Sequence, residues 1–356
     1  MRRRILYTVL DWGLGHATRS IPVIRALLAS NCEIVLASDG MALEFLRSEF
    51  PHLKAYKLPS YNVQYTSEKL VVNAARNWRG VVSAIRREQR DIERILLNER
   101  VTAIISDNRY GCYRGGLPSV IVTHQLKFRT GITVVDKFAE TMVRQWLGPF
   151  DRIWVPDDEQ RTLSGELSMS TDPRVKCIGW QSTLSSSSIT PRVKLAAVIS
   201  GPEPQRTNLE KEVRSQLEKL DFPVVLVRGI RGFDEPRQKG HLTVYDFMDR
   251  KGIDRLLSQT EVVVCRTGYS SLMDLKSAGK KAILIPTPGQ PEQTYLGRHL
   301  QDDPHYIVQE QGKIDIHHAL CELSDRQSPE PVPQNSELLH DAIMDFFALY
   351  ETHDQD

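Results

Sequence analysis

Residues 262–297 read VVVCRTGYSSLMDLKSAGKKAILIPTPGQPEQTYLG, and this stretch decides the fold. Val262–Cys265 is a continuous apolar run, the pattern of a strand buried on both faces of a parallel sheet. It exits through Arg266, Thr267 and Gly268 into a helical segment. Gly268 lets the backbone come close to a ligand, and Ser270 or Ser271 is placed to cap the helix, whose free N–H groups and positive dipole end suit a diphosphate. Asp274 follows Ser271 by one turn on the same face, where a short carboxylate can accept from ribose hydroxyls. A second strand, Ala282–Ile285, delivers PTPGQPEQ, a rigid loop at a strand's carboxyl end whose Gln290, Glu292 and Gln293 are hydrogen-bonding groups of the kind a sugar needs. Strand, glycine and helix occur throughout α/β proteins, so the turn alone reads equally as structural punctuation. The diphosphate reading rests on the whole unit.

Outward from this unit, 356 residues accommodate two domains of about 150 to 180 residues each. Net charge is +1, but residues 1–184 carry 26 Lys and Arg against 19 Asp and Glu, a net of +7, and residues 185–356 carry 20 against 26, a net of −6. Five cysteines, Cys32, Cys112, Cys177, Cys265 and Cys321, lie far apart with no CxxC spacing, which argues for buried thiols rather than disulfides or a zinc site. With no apolar run near 18 residues and no signal peptide, the expected location is cytoplasmic. No nucleic-acid partner is expected.

The chain opens with a strand, Arg4–Leu10, that exits into DWGLGHATRS, residues 11–20. Gly13 and Gly15 permit a tight turn, and Ile21, Val23, Ile24, Leu27 and Leu28 form the apolar stripe of a helix. The third glycine of a dinucleotide fingerprint is missing, although Asp39 closes the next strand and keeps that reading open. His16 stands at the mouth of the helix, as a general base or as a structural residue of the turn. Glu68–Asn98 is a long helical stretch bearing Arg76, Arg79, Arg86, Arg87, Arg90 and Arg94, either a solvated face or a surface for an anionic membrane. Ala103–Ser106 delivers Asp107, Asn108, Arg109 and Tyr110 at a sheet's carboxyl edge; these contact an acceptor, support His16, or form an Asx-type turn held by Asp107. His124 leaves the next strand on the same side. A Ser-rich hinge at 181–191 separates a first domain, 1–180, from a second, 192–325; a proline-rich link and a final helix fill 326–356. In the second domain Gly201 follows a strand, with Arg206 as a charge partner for phosphate, and Phe247 and Met248 follow another.

The 262–297 unit resembles the nucleotide-sugar site of MurG-type glycosyltransferases. There a Cys-Arg-Ser-Gly run opens the phosphate helix, an acid on that helix holds the ribose, and a proline loop ending in Gln reads the sugar; Gly268, Asp274 and Gln293 match. Gly15 and His16 match the family's Gly-His loop. The chain departs at Asp274, where Glu is usual, at Tyr269, where a small residue stands, at Thr294, and at Asp11, Trp12 and Leu14. Gly201 corresponds to a Gly-Gly-Ser turn, and Phe247 and Met248 lie where the family's main chain meets uracil.

The resemblance implies the GT-B arrangement, an α/β architecture of two Rossmann-like domains facing across a cleft, with a last helix that crosses back to the first domain. It also implies transfer of a hexose or N-acetylhexosamine from a UDP-sugar to a glycan, lipid-linked sugar or small-molecule acceptor by inverting displacement, with peripheral contact at the inner face of an anionic membrane. Arg266, Thr267, Gly268, Tyr269, Ser270, Ser271, Asp274, Gln290, Glu292, Gln293, Gly201, Arg206, Phe247 and Met248 then line the donor site. Asp11, Trp12, Gly13, Gly15, Asn108, Arg109, Tyr110 and His124 line the acceptor site. His16, or Asp107 if His16 is structural, takes the acceptor proton. No cofactor and no metal is expected, since a DxD pair occurs only at Asp354 and Asp356, and helix N-termini serve the leaving diphosphate. A nucleotide-sugar hydrolase or epimerase, or a non-catalytic binding subunit, would use the same donor half.

Overall fold

The computed structural model describes residues 3–61, 70–184, 192–230, 232, 235–332 and 336–353. Residues 185–191 of the hinge, the start of the arginine-bearing helix at Glu68, the Arg76 and Arg79 side chains, and Asp354 and Asp356 lie outside the described residues. The chain divides into two compact units, the first holding one sheet and the final helix, the second holding the other sheet.

The first unit runs β1 (Arg4–Val9), α1 (Leu14–Ala29), β2 (Glu33–Ser38), α2 (Gly40–Glu49), β3 (Lys54–Lys57), α3 (Leu70–Glu99), β4 (Ala103–Asp107), β5 (Ser119–Val122), α4 (Thr133–Leu147), β6 (Arg152–Val155) and β7 (Val175–Cys177). Among the described residues its sheet has the order β3-β2-β1-β4-β5-β6-β7, every pair parallel. The apolar strands are buried on both faces because helices cover both. Ile5, Tyr7 and Val9 pack with α1, α2 and the final helix, while Leu6 packs with Ile92, Ile95 and Leu96 of α3. Strand order reverses between β1 and β4, so the loops leaving those two strands open the crevice where such sheets bind ligands.

The second unit runs β8 (Val193–Val198), α5 (Gln205–Leu217), β9 (Val224–Val227), β10 (Arg237–Lys239), β11 (Leu242–Tyr245), α6 (Arg250–Ser258), β12 (Thr260–Cys265), α7 (Tyr269–Ala278), β13 (Lys281–Leu284), α8 (Pro291–His299), β14 (Tyr306–Val308) and α9 (Ile316–Ser324). Its order is β10-β11-β9-β8-β12-β13-β14, parallel except for β10. The reversal falls between β8 and β12, which places the exits at Gly201 and at Arg266 side by side at the carboxyl edge. α10 (Ser336–His353) returns to the first unit, where Phe346 stacks edge-on against Trp154 at 5.9 Å and Asp345 pairs with Arg152 at 2.5 Å.

Candidate active site

In the first unit, the β1 exit turns at Gly13, whose φ of 75° favours glycine, and starts α1 one residue later. His16 therefore sits in the first turn of α1, over the carboxyl end of β4, and its Nδ1 lies 2.6 Å from Oδ1 of Asp107, the last residue of that strand. Asp107 is fully buried, yet Arg19 and His16 hold its carboxyl down at about 2 against the burial that raises it. Being ionised, Asp107 can only accept, so Nδ1 carries the proton and Nε2 presents its lone pair. Among the described residues Nε2 makes no hydrogen bond. Burial, followed by Arg19, pushes the imidazole below its ordinary range. His124, after β5, lies with Nδ1 3.4 Å from Arg19 Nη1 and completes this corner.

The turn after β4 is closed by Ser106, whose hydroxyl bonds the Arg109 carbonyl at 2.7 Å and amide at 3.3 Å, and not by Asp107. Asn108 takes the left-handed φ of 58° beside it, its Oδ1 buried without a partner. Arg109 corrects an expected acceptor contact: it is fully buried, bonded to the Val9 and Pro59 carbonyls and paired with Glu88 and Asp39, so none of its charge faces solvent. Asp11 is likewise turned away, accepting from the Ala42 amide at 3.2 Å at the start of α2. Tyr110 packs on Trp146 at 5.2 Å, and Trp12 is exposed beside the turn.

The second unit brings Gly201, Arg266, Thr267 and Thr287 together. Gly201 has φ 113°, and a Cβ placed there would lie 3.7 Å from Arg266 Nε and 3.8 Å from Thr287 Oγ1. The Arg266 side chain is 1% exposed. Its Nη groups bond neutral acceptors, the Gln205 carbonyl at 2.8 Å, Gln311 Oε1 at 2.7 Å, the Pro286 carbonyl at 3.2 Å and the Ile285 carbonyl at 3.4 Å. Among the described residues no carboxylate pairs with it, and burial lowers the guanidinium only to about 10, so it stays charged. Arg266 Nε, Thr267 Oγ1 and Thr287 Oγ1 are buried without partners.

Several expected donor residues are placed otherwise. Neither Ser270 nor Ser271 caps α7; Gly268 is the N-cap, and among the described residues it makes no side-chain cap bond. Tyr269 is buried. Arg206 is corrected as a phosphate partner: Glu203 at 2.6 Å, Glu210 at 2.7 Å, the Arg228 carbonyl and Thr207 take its donors. Asp274 receives both Nη groups of Arg250, at 2.7 and 2.9 Å, rather than standing open. Gln290 caps α8 through the Gln293 amide, and Gln293 Oε1 accepts from Thr287 N at 2.9 Å, which fixes the PTPGQ loop. Phe247 is exposed at the β11 exit, with Met248 beside it. Glu292 lies in the first turn of α8.

Sequence reasoning missed Arg19, Thr287 and Arg250. Arg19 had a signal, since it follows His16 by three residues and so shares its helix face; the other two depend on partners distant in sequence.

With this geometry in view, comparison with known proteins is direct. Residues 205–331 match the glycosyltransferase family 28 C-terminal domain. The chain is similar to MurG-like glycosyltransferases. A 97-residue stretch is 28% identical to the UDP-N-acetylglucosamine–N-acetylmuramyl-(pentapeptide) pyrophosphoryl-undecaprenol N-acetylglucosamine transferase of Sulfurihydrogenibium sp. (strain YO3AOP1), covering 27% of this chain and 27% of that relative. The match therefore spans about a quarter of the curated relative. The fold is GT-B: the glycotransferase of kitacinnamycin superposes over 100% of this chain and 98% of its own with TM-score 0.63 at 15% identity. MurG of Acinetobacter baumannii superposes over 99% and 100% with TM-score 0.55 at 12% identity. A spinosyn rhamnosyltransferase complexed with thymidine diphosphate does so over 97% and 92% with TM-score 0.61 at 13% identity.

Proposed function

We propose that this MurG-like chain transfers a hexose or N-acetylhexosamine from UDP to an acceptor hydroxyl, with inversion and without a metal. The observation that carries the reading is the buried Arg266 guanidinium with no carboxylate partner, its Nε orphaned beside the orphaned hydroxyls of Thr267 and Thr287. Unsatisfied buried polar groups cost about 1–3 kcal/mol each, and more when charged. A fold that keeps three of them at one sheet edge recovers that cost when an anion arrives. The positive end of the α7 dipole points the same partial charge at the same edge.

In the displacement, the acceptor oxygen attacks the anomeric carbon, the bond from that carbon to the diphosphate oxygen breaks, and the electron pair leaves with the diphosphate. Arg266 and the α7 N-terminus stabilise that charge as it grows. His16 Nε2 takes the acceptor proton while Asp107 holds Nδ1–H and steadies the imidazolium. The gap at Gly268 admits the diphosphate. Gln293 offers its NH₂ to the sugar, and Phe247 offers a face to the base. Support for a lipid-linked acceptor is the undecaprenol carrier named for the relative, and contact with an anionic membrane would fall to the exposed Arg86, Arg87, Arg90 and Arg94 of α3.

The test is a panel of UDP, thymidine diphosphate and other nucleotides read by thermal shift, then UDP-sugars with candidate acceptors read by product mass, in the presence of excess EDTA. Stabilisation by UDP and an acceptor mass raised by one sugar are expected. Stabilisation by thymidine diphosphate alone would reassign the base, and activity that only Mg²⁺ restores would overturn the metal-free mechanism.

A further inference from the structure

His16, Arg19 and Asp107 share one carboxylate. Arg19 donates Nε–H to Oδ2 at 2.8 Å and Nη2–H to Oδ1 at 2.5 Å, a bidentate fork, and His16 Nδ1 reaches the same Oδ1 at 2.6 Å. An imidazole beside a lone buried carboxylate is drawn towards the charged form. One beside a carboxylate already matched by a guanidinium is not. We propose that Arg19 is a positioning residue: by chelating Asp107 it keeps the carboxylate aimed at His16 Nδ1 and cancels its charge, so that His16 Nε2 stays an uncharged proton acceptor in mildly acidic solution. The proposal rests on the reading of His16 as the base.

The groups acting on His16 are Asp107 at the end of β4, Arg19 on α1 and His124 after β5. On β1 the Tyr7 hydroxyl lies among Asp107, Arg19 and Ser20, and burial keeps it protonated. Among the described residues, no charged group of α2, β2 or α10, which also pack on α1, is among those acting on the imidazole. Burial and Arg19 together outweigh the pull of Asp107, in the direction the fork requires. Arg19 is only 2% exposed, so its charge is undiluted by solvent.

The experiment uses the full chain and two variants, Arg19→Gln, which removes the charge but keeps an amide donor, and Arg19→Lys, which keeps the charge but loses the fork. The primary readout is the His16 protonation midpoint by ¹⁵N-histidine NMR, its signal assigned by comparison with His16→Ala. Arg19→Gln should raise the midpoint, and the loss of kcat/KM between pH 8 and pH 6 should grow by about tenfold, the effect of one charge within 4–6 Å. Arg19→Lys should keep the parent's midpoint. A midpoint unchanged or lowered in Arg19→Gln overturns the proposal; should that variant not fold, a midpoint raised in Arg19→Lys overturns it. If the midpoint moves as expected but His16→Ala keeps its turnover, the base assignment falls and the coupling stands. If His16→Ala is inactive and the midpoint does not move, the reverse holds.

Discussion

Arg19 and Arg109 are both buried arginines at the carboxyl edge of the first sheet, and their partners separate their roles. Arg109 is spent on Asp39, Glu88 and two carbonyls that tie β1, β3 and α3 together, which is architecture. Removing it leaves two buried carboxylates uncompensated. Arg109→Met should therefore cost about 3–5 kcal/mol of stability, read from the urea midpoint; a variant that folds as the parent does but loses acceptor affinity would restore the acceptor-site assignment. His16 is the opposite case, with one ring nitrogen committed and the other open. His16→Ala should lose at least about a hundredfold in turnover while binding UDP as the parent does, and Asp107→Asn should lose less. If the order of the two is reversed, Asp107 is the base. Since the imidazole must be unprotonated to work and its pKa is lowered, kcat/KM should hold as pH falls to the ordinary histidine value and drop only below it. An acid limb above pH 6.5 would contradict this. At this scale the Gly-His turn and Asp107 were legible in the sequence, because chemistry-bearing residues at strand ends are few. The fate of Arg109 was not, because burial and partners 21 and 70 residues away decide it.

At the scale of the element, α7 tests the donor site most cleanly. Its N-cap, Gly268, has φ −77° and ψ 136°, a conformation open to any residue, and a Cβ there meets only Ser271 Oγ at an ordinary 3.7 Å. Neither backbone nor packing demands glycine, so what it provides is room. Gly268→Val should keep the parent's fold at a cost of about 1 kcal/mol, that of a β-branched residue at an N-cap, and lose its UDP-dependent stabilisation; an unchanged UDP shift would remove α7 from the donor site. The long buried strands and glycine exits were readable because their apolar runs are unbroken. Several of the elements that escaped have no period of their own. β10 is three exposed polar residues paired at an edge, and β7 is three residues long. α8 begins inside PTPGQPEQ, where prolines suggest a loop, although Pro291 at the first helical turn behind a Gln290 cap is a start signal. The Arg206 contact with Glu210, four residues on along α5, was also legible and argues against a free phosphate ligand there.

For the whole molecule, the placement of α10 changes the charge argument. Residues 334–356 hold Glu337, Asp341, Asp345, Glu351, Asp354 and Asp356 and no Lys or Arg. Carried by the first unit, they bring the +7 of residues 1–184 down to +1 and leave residues 185–333 neutral. The basic and acidic halves of the sequence are thus not basic and acidic halves of the fold, and long-range attraction of one unit to an anionic surface loses its basis. What remains is local: Arg86, Arg87, Arg90 and Arg94 are exposed along α3, with Arg94 3.4 Å from Asp91 and therefore the weakest of the four. Each arginine close to an anionic bilayer contributes about 1 kcal/mol, within a Debye length of about 8 Å at physiological salt. Replacing Arg86, Arg87 and Arg90 by Gln should then lower co-sedimentation with phosphatidylserine-containing vesicles by about a hundredfold in partition. Raising the salt should do the same to the parent, and neutral vesicles should bind neither. Equal binding to neutral and anionic vesicles, or a triple variant that binds as the parent does, would show that α3 is a solvated face and that any membrane contact lies elsewhere.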